Sequence, residues 1–160
     1  MSESVERSPL VRAAAIAALP EFRFTHPLNP GSEVHLRALG ALAGLERVGI
    51  LIGRVPPGKE SFVYHSHQHE EEFIYVLSGR GIAEIGDEEM EVGPGDFMGF
   101  PAPSVGHHLR NPFAVDLVYL MGGEHRPVDI ADFPRLRKRL VRNGDEFQVV
   151  DWEALGPFWK

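Results

Sequence analysis

Residues that turn or break a chain recur along almost the whole of this sequence, and their spacing limits the fold more than any other feature. Seventeen glycines and thirteen prolines are distributed over 160 residues, interrupted mainly by a short alanine-rich stretch near the start. A helical bundle tolerates this poorly, because a Gly in a helix interior costs about 1 kcal/mol and a Pro about 3 kcal/mol. Between the turn residues, apolar positions repeat with a period of two, as a half-buried strand requires. Val34–Leu39 alternates in this way, and Arg47–Val55 runs up to Pro56-Pro57-Gly58. Further short strands are expected at Phe62–His67, Glu72–Leu77, Gly81–Ile85, Met90–Val92, Phe97–Phe100, His107–Asn111 and Val115–Met121. The turns Gly86-Asp87-Glu88-Glu89 and Gly93-Pro94-Gly95-Asp96 have the residue chemistry that tight reversals need. Short strands about ten residues apart, with few helices between them, form an antiparallel sandwich or barrel. The expectation is an all-β chain, a single small antiparallel β-barrel with an N-terminal arm and an irregular C-terminal tail.

The flanks carry less information. Residues 1–32 read as a loose tail, a short helix over Pro9–Leu19 ended by Pro20, and a loop from Phe24 to Gly31. Residues 33–125 form the expected barrel. Residues 126–160 form an extension packed on it, with one short helix around Pro134–Val141. The length suits one domain. The net charge of −7 argues against a nucleic-acid backbone or an anionic membrane as partner. The basic run from Arg135 to Arg142 is read as a solvated face or a subunit contact. No apolar run reaches the ~20 residues that span a bilayer, and Ala13–Leu19 is too short for a signal peptide. A cytoplasmic location is therefore expected. With no cysteine in the chain, zinc–thiolate sites, disulfides and thiol nucleophiles are excluded. No phosphate loop, nucleophile elbow or dinucleotide fingerprint is present.

The chemistry concentrates in histidine. Five of the eight, His65, His67, His69, His107 and His108, fall in two tight clusters. In His65-Ser66-His67-Gln68-His69, alternate residues of a strand share a face, so His65 and His67 project side by side in a geometry suited to one ion. Glu72, Ile74 and Val76 likewise share a face of the next strand. A carboxylate buried alone among aliphatic neighbours is costly, and a cation beside it removes that cost. In the second cluster, Phe100 to Asn111, a proline-rich turn delivers a histidine onto a strand.

The segment Gly58…His65-x-His67-x4-Glu72-x6-Gly79 resembles the first motif of the cupin superfamily, and Gly95-x5-Pro101…His107-x3-Asn111 resembles the second. About fifteen residues separate them. In the second motif Pro103 stands where the family usually has Gly, and one extra residue precedes the histidine. The resemblance implies a mononuclear metal held by His65, His67, Glu72 and His107, with Gly58, Gly79, Gly95, Pro101 and Asn111 as structural turn residues. His107 is preferred to His108 for its three-residue gap to Asn111. Glu71 replaces Glu72 if the intervening loop is one residue shorter. The whole chain also resembles single-domain bacterial cupins with a long N-terminal segment, a branch without a settled reaction.

Three imidazoles and one carboxylate suit one divalent transition metal, Mn, Fe, Co, Ni or Zn. The pocket around it is expected to be apolar, with His69, Glu71, Tyr75, Phe100, His108 and Tyr119 as candidate outer or pocket residues. Of these, His69 faces solvent or a ligand's outer side, His108 points to the barrel exterior, and one tyrosine is a candidate proton donor. His26, His35 and His125 are read as structural or exposed. Two functions fit: a metal-dependent isomerase, decarboxylase or dioxygenase acting on a sugar derivative, keto acid or carboxylic acid, or a non-catalytic module that binds or senses a small molecule. A homodimer is expected, the N-terminal segment capping an edge strand.

Overall fold

The structure is a computed structural model that describes residues 7–159, so the first six residues of the expected tail lie outside the described residues. A single short helix, α1 (Ala13–Ala18), is followed by fourteen strands. In chain order these are β1 (Phe22–Phe24), β2 (Val34–Ala38), β3 (Val48–Val55), β4 (Lys59–Glu60), β5 (Ser66–His67), β6 (Glu72–Ser78) and β7 (Gly81–Ile85). Then come β8 (Glu88–Val92), β9 (Phe97–Phe100), β10 (His107–Asn111), β11 (Leu117–Glu124), β12 (Val128–Phe133), β13 (Lys138–Asn143) and β14 (Glu146–Asp151). The fold is all-β and of jelly-roll type, with antiparallel strand pairs in every sheet.

Three sheets make up the body. One has the order β1-β2-β3-β11-β6-β9, the second β4-β10-β7-β8, and the third β14-β13-β12-β5. The main core lies between the first two and is filled by alternating inward residues such as Val34, Val55, Val76, Leu109, Leu117 and Tyr119. On β6 the expected alternation holds: Val76 is fully buried and Ile74 packs against the core, while Tyr75 and Leu77 are exposed. Gly58, Gly79 and Gly95 all have positive φ. Gly79 is the strictest of them, since a Cβ there would run into the backbone carbonyl of Asp116. Asn111 is a structural residue, donating from Nδ2 to the carbonyls of Val55 and Val115 and accepting from the Phe113 N–H.

Two stretches differ from the sequence reading. The expected strand Phe62–His67 is regular only at β5, while His65 makes one bridge to His107. The larger difference is at the C-terminus, where irregular chain and a helix over Pro134–Val141 were expected. Only Pro134–Leu136 forms a single 3₁₀ turn, ended by Arg137 in the left-handed region, and β12, β13 and β14 form a regular meander around it. Helix propensity in the Arg/Leu/Lys run loses to cross-strand pairing, in which Arg139 of β13 reaches Asp132 of β12. Asn143-Gly144 between β13 and β14, with Gly144 at positive φ, is the hairpin signal that marks this meander in the sequence. At the N-terminus, β1 pairs with β2 where the loop was expected to begin.

Candidate metal centre

Three backbone elements carry the clustered histidines and the carboxylate to one point. His65 and His67 lie at and beside β5, Glu72 opens β6, and His107 opens β10. Antiparallel pairing sets their register: His65 bridges His107, and Glu72 pairs with Phe100 of β9. The result is a convergence on a single atom. Oε2 of Glu72 lies 3.2 Å from Nε2 of His107, 3.4 Å from Nε2 of His67 and 3.6 Å from Nε2 of His65.

The other ring nitrogens show what that convergence means. Nδ1–H of His65 donates to the carbonyl of Val63 (2.7 Å), and Nδ1–H of His107 donates to the carbonyl of Val105 (3.1 Å). Nδ1–H of His67 donates to Oδ2 of Asp129 (2.6 Å). A carbonyl or carboxylate oxygen only accepts, so each neutral ring carries its proton on Nδ1 and presents a bare lone pair at Nε2. Three lone pairs and a carboxylate oxygen then face one another. Without a cation this arrangement is repulsive; around a cation it is a ligand set. Ligand atoms ~2.1 Å from a shared ion and about 90–110° apart lie roughly 3.0–3.4 Å from each other, close to the distances seen. The residues present fit a transition metal ion, and His65, His67 and Glu72 lie close enough to hold one together.

Burial pushes the His65 imidazole down, opposed by Glu72 and aided by the neighbouring His107. Burial would also lower His67, but Asp129 and Glu72 outweigh it and raise the value. For Glu72, burial alone would raise the carboxyl. Hydrogen bonds and positive charge from His107, His65 and His67, available when those rings are protonated, outweigh it and hold the group well below the usual carboxylate range.

Phe100 stacks flat on His107, with ring centroids 3.7 Å apart and 8° between planes, and fixes that ring from the side. The cluster borders an inner cavity of about 40 Å³, lined otherwise by apolar groups such as Ile74 and Met98 and reached by Tyr119. This is room for a few waters. The hydroxyl of Tyr119 is buried without a partner, and burial pushes its pKa up, so the group stays protonated. On the outer side, Glu72 also borders an open cleft of about 450 Å³ walled by Phe73, Phe97, Phe100 and Pro101.

The remaining candidates fall elsewhere. The His69 side chain is exposed, and only its backbone N–H turns inward, to Oδ1 of Asp129. Glu71 is exposed, its N–H bonded to Glu124, so the acid that reaches the histidines is Glu72. Tyr75 lies on the outer face and is 39% exposed. His107, not His108, is the histidine that approaches Glu72. His108 was expected at the barrel exterior but is buried, flanked by Glu60 and Glu84 at 3.6 and 3.5 Å. Glu60, Glu84 and the arginines Arg110 and Arg135 that cover Glu84 shield a face that alternation alone assigned to solvent. Asp129, 62 residues from His67 in sequence, escaped the sequence reading because its segment was read as irregular. The alternation in Val128-Asp129-Ile130 was the available signal. Arg142, which pairs with buried Glu70, was likewise read only as part of a basic surface run.

A jelly roll with three histidines and a glutamate converging between its sheets points to a metal-binding β-sandwich class, and comparison with known proteins gives the family. The family model for the cupin domain matches residues 51–123. A solved structure of a candidate sugar phosphate isomerase from Acidithiobacillus ferrooxidans is 36% identical, with 96% of this chain and 98% of that one aligned at a TM-score of 0.91. A cupin-superfamily sugar phosphate isomerase from Silicibacter pomeroyi is 23% identical, covers 88% of this chain and 90% of its own, and shares the fold at a TM-score of 0.75. An uncharacterized protein of Methanocaldococcus jannaschii is 37% identical over 57 residues, which are 36% of this chain and 44% of that protein. The chain belongs to the cupin superfamily. Among the described residues, no helix is long and apolar enough to cross a membrane.

Proposed function

We propose that this protein is a mononuclear metal enzyme acting on a small oxygenated substrate, with His65, His67, Glu72 and His107 as the ligands. One observation carries the reading: three Nε2 lone pairs, each enforced by a hydrogen bond at Nδ1, converge on one carboxylate oxygen. A divalent Mn, Fe, Co, Ni or Zn ion bound there supplies Lewis acidity, polarising a substrate carbonyl or hydroxyl. The chain supplies the rest. Phe100 holds the His107 ring and excludes water from one side of the cluster. Tyr119 offers a buried O–H, with no competing partner, to a substrate oxygen entering the cavity. Isomerisation of a sugar derivative is the favoured reaction, because the relative aligned over nearly the whole chain is a candidate sugar phosphate isomerase. Decarboxylation or dioxygenation of a keto or carboxylic acid are the alternatives.

A second reading is a non-catalytic module that captures or senses a small molecule with the same residues, the open cleft of about 450 Å³ beside Glu72 offering the space. The proposal includes a cytoplasmic homodimer. It is supported by β1 at the edge of the six-stranded sheet, where Phe22 is half exposed. The test begins with metal analysis of protein purified without chelator, beside the double variant His65→Ala, His67→Ala. One equivalent of transition metal in the wild type and none in the variant is expected. Metal-loaded protein is then assayed on sugars, sugar phosphates and keto acids, with oxygen uptake followed for the iron form. Tight binding without turnover across that panel overturns the enzyme reading in favour of the binding module, and light scattering decides the dimer.

A further inference from the structure

We infer that Asp129, on strand β12, is a positioning residue for the ligand His67, and that the C-terminal meander is thereby a working part of the metal centre. The inference rests on the metal-site reading above and extends it to a part of the chain outside both histidine motifs.

The reason lies in a difference between the three histidines. His65 and His107 each donate Nδ1–H to the carbonyl two residues earlier, at Val63 and Val105. The equivalent acceptor for His67 is the carbonyl of His65, but that carbonyl already accepts the N–H of His107 in the strand bridge. His67 instead takes its acceptor from outside, and Asp129 supplies it at 2.6 Å while itself only 3% exposed. A carboxylate acceptor is stronger than a carbonyl. It fixes the tautomer and ring orientation and raises the donor strength of the free Nε2.

The third sheet grips the same segment residue by residue. Asp129 also accepts the N–H of His69. The N–H of Gln68 donates to the carbonyl of Ile130 at 2.8 Å, and its amide donates to Asp132. Glu70 accepts from the Arg142 guanidinium and from the Arg126 N–H. The charge balance points the same way. Glu70 is neutralised by Arg142, whereas the carboxylates of Glu72 and buried Asp129 have only the histidine cluster as ionic partner among the described residues. The two carboxylates match the charge of one divalent cation. His67, Glu70 and Asp129 also lie near one another, but His67 Nδ1 is already bonded to Asp129, and Glu70 Oε1 already accepts from Arg142 and Arg126.

The test titrates Mn²⁺ and Co²⁺ into wild type, D129N and D129A, with E21Q as a distant stability control. Glu21 pairs with Arg54 on the first sheet, away from the centre. One equivalent is expected to bind to the wild type and to E21Q with equal affinity, and about 10- to 100-fold more weakly to D129N and D129A. In the metal-free proteins, ¹⁵N spectra of the His67 ring should show Nδ1–H in the wild type and a mixture of tautomers in D129A, a signature that general destabilisation does not produce. D129N preserves the volume and carries the test where D129A does not fold. Wild-type affinity in D129N, or an unchanged His67 tautomer in a folded D129A, overturns the positioning role alone. A wild type that binds no metal overturns the metal-site reading and this inference with it.

Discussion

Removing or saturating the metal should move the folding equilibrium by an amount the structure allows to be worked out. The four proposed ligands come from segments that meet only in the folded chain, His65 and His67 beside β5, Glu72 on β6 and His107 on β10. An ion that binds this set has no equivalent site in the unfolded chain, so its binding energy becomes folding energy. At a free metal concentration one hundred times Kd, linkage gives about 2.7 kcal/mol of added stability. For a chain of this size each kcal/mol corresponds to about 2–4 °C in Tm, so chelated and metal-saturated protein should differ by about 5–11 °C. Differential scanning calorimetry on protein stripped with EDTA and reloaded with Mn²⁺, Co²⁺ or Zn²⁺ measures this directly. Glu72→Gln, which removes the one anionic ligand, should lose most of the shift, and the His65→Ala, His67→Ala pair all of it. A shift of equal size in the ligand variants would refute the reasoning, since the ions would then be binding elsewhere. So would a wild-type Tm indifferent to every one of these ions.

Other perturbations have equally definite outcomes. Gly79→Ala combines positive φ with a clash against the Asp116 backbone and should cost about 2–4 kcal/mol in urea unfolding. Tyr119→Phe deletes a buried hydroxyl that has no partner. It should leave Tm unchanged or raise it, the orphan group costing about 1–3 kcal/mol, while kcat/KM falls at least about tenfold if that hydroxyl serves the substrate. Hydrogen bonds from Arg139 hold the Asp132 carboxyl below its ordinary value. A depressed folded-state pKa contributes stability above the unfolded value of about 3.9 and loses it as pH falls through the folded value. The chelated protein should accordingly weaken below about pH 4, and Asp132→Asn should flatten that slope without changing the slope above pH 6.

Much of the site was legible because it is written in short-range patterns. Histidines two residues apart, a glutamate five residues on and a glycine that closes the following strand are spaced by local backbone geometry, and that geometry survives in the fold. The same holds for Asn111, whose side chain satisfies its own turn. The helix expected over Pro134–Val141 fails for the converse reason. A run such as Arg135-Leu136-Arg137-Lys138-Arg139 suits a helix in isolation, and its strand state depends on partners in β12 and β14 that local propensity does not contain.

The sequence by itself determined an all-β chain, the positions of its turns, and nitrogen and oxygen as the candidate metal donors in a protein with no cysteine. Only the tertiary structure decided which of two adjacent histidines approaches Glu72, why each ring presents Nε2, and that a carboxylate 62 residues away holds His67. Alternation along a strand states which side chains share a face but not which strand will lie opposite. Partner and register are settled by packing and hydrogen bonding over the whole chain.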